Sequence, residues 1–103
     1  MSAPTKMRAT VKDGVTEVRV LMQHEMENGR RKDEAGNIIP AWFITEIKAQ
    51  HNGRTVLEGR FGTSVSKNPY LIFRYRGGAP GDRITLTWLD NRGDTRSDEV
   101  TIS

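Results

Sequence analysis

The sequence predicts an all-β fold, an immunoglobulin-like antiparallel β-sandwich of about seven strands. Three observations carry this. Apolar and polar residues alternate with period two along most of the chain, turn residues separate the alternating runs at even spacing, and no run shows the period of an amphipathic helix. The 103 residues suit one domain spanning 1–103, which would bury about 65% of the surface exposed by the unfolded chain.

Residues 1–6 are polar, contain Pro4 and show no periodicity, so they are expected to form a flexible tail. Met7, Ala9 and Val11 then alternate with Arg8, Thr10 and Lys12, a short strand that ends at the turn signal Asp13-Gly14. From Val15 to Gln23, the residues Val18, Val20 and Met22 point one way and Glu17 and Arg19 the other. A long connection from His24 to Phe43 follows. Trp42 to His51 is expected as a central strand, apolar on both faces near its start and then on one face through Ile47 and Ala49. Asn52-Gly53 suits a type I′ turn and predicts a hairpin with Arg54 to Phe61, in which Leu57 and Phe61 face inward.

Gly62 to Asn68 is a polar connection closed by Pro69, a residue that can start a strand but not sit centrally in one. Leu71, Phe73 and Tyr75 alternate with Tyr70, Ile72, Arg74 and Arg76; Ile84, Leu86 and Trp88 do the same with Arg83, Thr85 and Thr87. The turn at Asp90 to Gly93 leads to a last strand whose inward residues are Val100 and Ile102. Trp42 and Trp88 are the expected large fillers between the sheets.

Composition excludes several chemistries. Without cysteine the sequence offers no disulfide, thiolate zinc site or cysteine nucleophile. His24 and His51 are the only histidines, and His24, Glu25 and Glu27 have no recognisable metal-ligand spacing, so no metal is expected. No serine lies in a nucleophile-elbow sequence, which argues against an enzyme. Gly77, Gly78 and Gly81 follow a strand without opening a helix or preceding a Lys-Ser or Lys-Thr pair, and they suit a turn better than a phosphate cradle. A net charge of +3 and a pI near 9.6 come without a long basic tract, so nucleic acid is not an expected partner. No apolar run is long enough to span a bilayer, and Met1 to Lys12 lacks the apolar centre of a secretory signal.

The connection from His24 to Phe43 is the feature these rules leave unexplained. It joins the cationic run Arg30-Arg31-Lys32 to Asp33 and Glu34, and places Met26, Ile38, Ile39 and Trp42 beside them. A solvated loop balancing its own charges is one account of it. The other is an apolar patch rimmed by charge that contacts a protein, with a guanidinium docking a partner's carboxylate. Long loops in small domains often carry such a function.

Several residues resemble the SoxZ family of the bacterial sulfur-oxidation system: His24, Met26-Glu27, Gly29, Arg31-Lys32-Asp33, Gly36 and Ile39-Pro40, then Asn68-Pro69-Tyr70, then Trp88 with Asp90 and Gly93. The resemblance runs from the second strand to the last. It implies an immunoglobulin-like subunit without catalysis or cofactor of its own. Such a subunit pairs with SoxY as a heterodimer, which can double to a heterotetramer, and makes transient contacts with other Sox enzymes. SoxY carries the sulfur intermediates on a cysteine of its C-terminal arm. The implied compartment is the periplasm, reached by co-export with SoxY, since no signal peptide is expected here.

Partner-binding residues implied by the motif are His24, Met26, Glu27, Arg31, Lys32, Asp33, Ile39 and Pro40, with an interaction role expected for Arg31 and Asp33 in place of a folding one. The family usually has proline where this chain has Glu25, and commonly threonine at Asn28; the first change is expected to loosen the start of the loop. The alternative to a carrier-complex subunit is a stand-alone immunoglobulin-like module that binds a ligand or a surface.

Overall fold

The computed structural model describes residues 3–103. Its seven strands are β1 (Lys6–Lys12), β2 (Val15–Leu21), β3 (Ile44–His51), β4 (Arg54–Arg60), β5 (Tyr70–Arg76), β6 (Arg83–Asp90) and β7 (Thr95–Thr101). All pairings are antiparallel. They form a three-stranded sheet in the order β1-β2-β5 and a four-stranded sheet in the order β4-β3-β6-β7, the sandwich that the alternation predicts. Asn52 and Gly53 take the positive φ values, 47° and 87°, that the expected hairpin turn between β3 and β4 requires.

Period-two alternation places the core. Ala9, Val18, Val20 and Met22 from one sheet meet Ile44, Ile47, Ala49, Ile84, Leu86 and Trp88 from the other, and Ile102 closes the same cluster. Leu57, Phe61, Leu71, Phe73, Tyr75 and Val100 pack on its margin. Trp88 is a filler between the sheets, as expected. Trp42 is not: it is only partly buried and lies before β3, at one end of the sandwich, where its indole N–H serves a carboxylate described below.

The residues expected as a tail are more firmly placed than their composition suggests. Lys6 opens β1, Thr5 is buried and donates its N–H to Asp98 at 3.0 Å, and the Pro4 carbonyl accepts from the Gln23 amide. Met1 and Ser2 lie outside the described residues.

At the opposite end the chain leaves β5 through Gly77 and Gly78 and turns at Pro80 and Gly81, where the Asp82 N–H donates to the Ala79 carbonyl; of the three glycines expected in a turn, Gly81 lies in it. Thr16 on β2 donates its hydroxyl to the Gly77 carbonyl at 2.6 Å. Gly78 sits directly over that threonine at φ 91°, and a Cβ there would fall on Thr16 Oγ1. Two constraints therefore converge on one position: a left-handed backbone and no space. Gly78→Ala is expected to lower stability by about 2–3 kcal/mol. Gly81→Ala, with similar φ and open space around it, should lose only about 1 kcal/mol. Urea unfolding of the two variants measures the difference.

Candidate functional site

The connection between β2 and β3 is a projecting hairpin arm. Glu27 and Trp42 exchange both backbone hydrogen bonds, at 2.7 and 2.9 Å, and further out the Ile39 N–H donates to Arg31 and the Asp33 N–H to Asn37. Lys32 and Ile38 face each other across the same ladder. The molecule measures 54 × 20 × 19 Å, whereas strands of seven or eight residues reach only about 25 Å. The arm supplies much of the remaining length.

Asp33 shapes the tip of the arm. Its carboxylate accepts the N–H groups of Ala35 and Asn37, each at 2.9 Å, and its carbonyl accepts from Gly36. This is an Asx-type turn, so Asp33 has a local folding role that the expectation of a purely interacting side chain omitted. Arg31 has a partner within the chain. Its guanidinium grips Glu27 of the same chain through two bonds, at 2.5 and 3.1 Å, and holds that carboxyl below its usual range. Arg30 and Lys32, both exposed, carry no ion pair among the described residues. Ile38 is 62% exposed, Ile39 is half-buried and Pro40 is exposed.

Beneath the arm lies a buried polar root. Asp90, at the end of β6, is 3% exposed and collects four donors. Its Oδ2 accepts from His24 Nε2 at 3.1 Å and Trp42 Nε1 at 2.8 Å, and its Oδ1 accepts from the N–H groups of Arg92 and Asp94. The Met26 N–H donates to His24 Nδ1 at 3.0 Å. That bond assigns the imidazole proton to Nε2, where it faces the carboxylate. The His24 ring lies edge-on to Trp42 and Trp88, 5.0 and 5.3 Å away, and the Arg92 guanidinium covers the Trp42 ring at 4.3 Å.

Met26 continues the chain from this root into the arm. It has φ 50°, a conformation rare for a side chain of its size, and is fixed from both sides: its N–H is held by His24, and its sulfur accepts the Ile44 N–H at 3.3 Å. Asn91 clamps the other leg by accepting from the Phe43 N–H and donating to the Ala41 carbonyl. Asn68 fastens the start, exchanging hydrogen bonds with the His24 backbone, while Glu25 pairs with Lys67 at 3.3 Å. Anchors from the β4–β5 connection thus hold a start that the replacement of proline by Glu25 was expected to loosen.

The motif residues therefore separate into two groups. His24 and Met26 are buried, so they hold the arm and do not line its surface. Glu27, Arg31, Lys32, Asp33, Ile39 and Pro40 belong to the arm itself. Asp90 and Trp42 complete the root. A contact between His24 and Asp90, 66 residues apart, has no local signature; the only sign of it was that Trp88, Asp90 and Gly93 stood in the same motif set as His24.

Burial alone would raise the Asp90 carboxyl, but the hydrogen bonds from His24, Trp42, Asp94 and Arg92 outweigh it and hold the group below its ordinary value of 3.8. The folded state thus favours the ionised form. The stabilisation is fully present above the unfolded carboxyl's pKa and disappears as pH falls through the lower folded value. Asp90→Asn should lower stability by about 3 kcal/mol at neutral pH, because the amide NH2 that replaces one oxygen faces two N–H donors and can accept from neither. Urea unfolding between about pH 5 and 2 should give a flatter acid limb for the variant than for the parent chain.

A family model described as Sulphur oxidation protein SoxZ matches residues 5–101. No curated protein matches the chain. The matched span takes in all but the first two described residues and the last two, including both the arm and its root, and it shows that the chain belongs to the SoxZ sulphur oxidation protein family.

Proposed function

We propose that this chain is the non-catalytic partner subunit of the SoxYZ sulfur-carrier complex, working in the periplasm. In this role it binds SoxY, whose C-terminal cysteine carries the sulfur intermediates of thiosulfate oxidation, and helps present that cysteine to other Sox enzymes. The observation that carries the reading is the family match across residues 5–101. Chemistry agrees with it: the sequence has no cysteine, so a covalent sulfur intermediate requires a thiolate from another chain.

The arm supports a presenting role. Its root is held by buried hydrogen bonds, whereas its outer residues offer Arg30, Lys32 and Ile38 to solvent. A rigid base with an exposed apolar and cationic end is suited to brief contacts, because little is left to order on binding. Of the motif residues, Glu27, Arg31, Lys32, Asp33, Ile39 and Pro40 are the ones we assign to such contacts.

Sedimentation of an equimolar mixture with SoxY should show a heterodimer. After thiosulfate turnover, mass analysis should find sulfur adducts on SoxY and none on this chain. Failure of the two proteins to associate, or a stable adduct on this subunit, would refute the assignment. A separate measurement addresses the arm: Arg30→Ala with Lys32→Ala should leave the unfolding midpoint within about 0.5 kcal/mol of the parent, yet slow the turnover of SoxY-bound sulfur by Sox enzymes. Unchanged turnover would remove the arm from the contact surface.

A further inference from the structure

The outer face of the three-stranded sheet serves neither the core nor the arm. Its registers align side chains in rows across β1, β2 and β5, so that Arg8, Arg19 and Ile72 form one row and Thr10, Glu17 and Arg74 the next. Six cations stand on this face, Lys6, Arg8, Lys12, Arg19, Arg74 and Arg76, against the single carboxylate of Glu17. Glu17 is already shared between Arg19 and Arg74, at 2.8 Å to each. The whole chain carries only +3, so one sheet face concentrates its excess of positive charge.

The same face holds three of the four exposed large hydrophobic residues among those described: Val15, Tyr70 and Ile72, at 36, 57 and 43% exposure. Arg8 lies directly opposite Arg19. Like charges in that relation oppose folding, and of the two only Arg19 has a carboxylate partner among the described residues, Glu17.

The edge beside this face is open. Met22 donates to the Pro69 carbonyl and Gly77 to the Gly14 carbonyl, which fixes the phase of the β2–β5 ladder. Odd-numbered residues of β5 bond to β2, and the N–H and C=O groups of Tyr70, Ile72, Arg74 and Arg76 point away from the sheet. No described residue meets them. The opposite edge is different, since Ser103 pairs with Ala9 and Val11 of β1. An edge strand with exposed tyrosine and isoleucine and no internal proline is a template for another strand.

We propose that this face and the open edge of β5 are the seat of SoxY, which lays an extended segment with acidic side chains alongside β5 as a fourth strand of the sheet. The inference rests on the reading of this chain as the SoxY partner and assigns that contact to a surface outside the arm. Pairing with the even-numbered residues satisfies the free backbone groups. Acidic side chains meet Arg19, Arg74 and Arg76, and the apolar side chains of the added segment cover Tyr70 and Ile72. The edge decides the class of partner. Alternating donors and acceptors are matched by a peptide strand, whereas the phosphates of a nucleic acid or a lipid surface only accept.

The test measures binding of the full chain to SoxY, together with amide hydrogen exchange in the complex. Arg8→Glu with Arg76→Glu should weaken association at least tenfold. Ile72→Pro, which removes an N–H that serves no bond within the sheet, should do likewise. If that variant folds poorly, exchange at the Ile72, Arg74 and Arg76 amides of the parent chain replaces it, and these amides should slow at least tenfold when SoxY binds. A complex that forms with undiminished affinity in the charge-reversed variant, and leaves those amides unprotected, overturns the inference while sparing the SoxY assignment. Absence of any complex with the parent chain overturns both. Binding to anionic vesicles or to an oligonucleotide that the variants lose, with SoxY binding unchanged, reassigns the face to phosphates and also overturns it.

Discussion

The buried Asp90 carboxylate is the interaction on which the arm end of this molecule depends. One oxygen holds the turn after β6 by accepting from Arg92 and Asp94, and the other holds both legs of the arm by accepting from His24 and Trp42. An ionised carboxylate without such partners would be strongly unfavourable in this position, next to Trp88 and the core. Four donors reverse the balance. The consequence is directional: His24 and Trp42 must both approach one oxygen, and that requirement sets where the two legs of the arm leave the sandwich.

Separate reasons hold the sandwich and the arm together internally. The sandwich rests on interdigitated apolar side chains from seven strands. Between Met26 and Phe43 the arm adds nothing to that cluster and is ordered by its own ladder, by the Asp33 turn and by the Arg31–Glu27 pair. Stability in proteins is distributed unevenly in this way, with functional segments drawn from its low end. Substitutions along the outer arm therefore act on its shape and surface without reaching the core, whereas any change at the root reaches both.

How much of this the sequence disclosed follows from the range of the interactions involved. Period-two alternation and the Asn52-Gly53 turn are local, and they located the strands, the β3–β4 hairpin and the inward residues. The arm has no alternating pattern across its charge run, so its hairpin character was hidden; the Asp33 carboxylate capping Ala35 and Asn37 explains why a turn forms there. Trp42 was assigned to the core because size and apolarity do not distinguish a central filler from an end cap. Its indole N–H needed Asp90, 48 residues away, for the distinction to appear. His24 was similarly opaque: as a lone histidine it had no visible partner until the sandwich brought β6 beside it.

Charge was the least visible property, since it is organised across strands and not along them. Each of β1, β2 and β5 shows an ordinary mixture of charged and neutral residues, and the total of +3 argues against any strongly cationic surface. Only the pairing registers gather Lys6, Arg8, Arg19 and Arg74 onto one side. That placement is a consequence of the core: with Met7, Ala9, Val18, Val20, Leu71 and Phe73 turned inward, every intervening residue must face out. The alternation that builds the hydrophobic interior therefore also writes the outer face, and a one-residue slip of any of these strands would exchange the two. The registers that hold the core and those that assemble the cationic face are the same, so the face is as firmly specified as the fold itself.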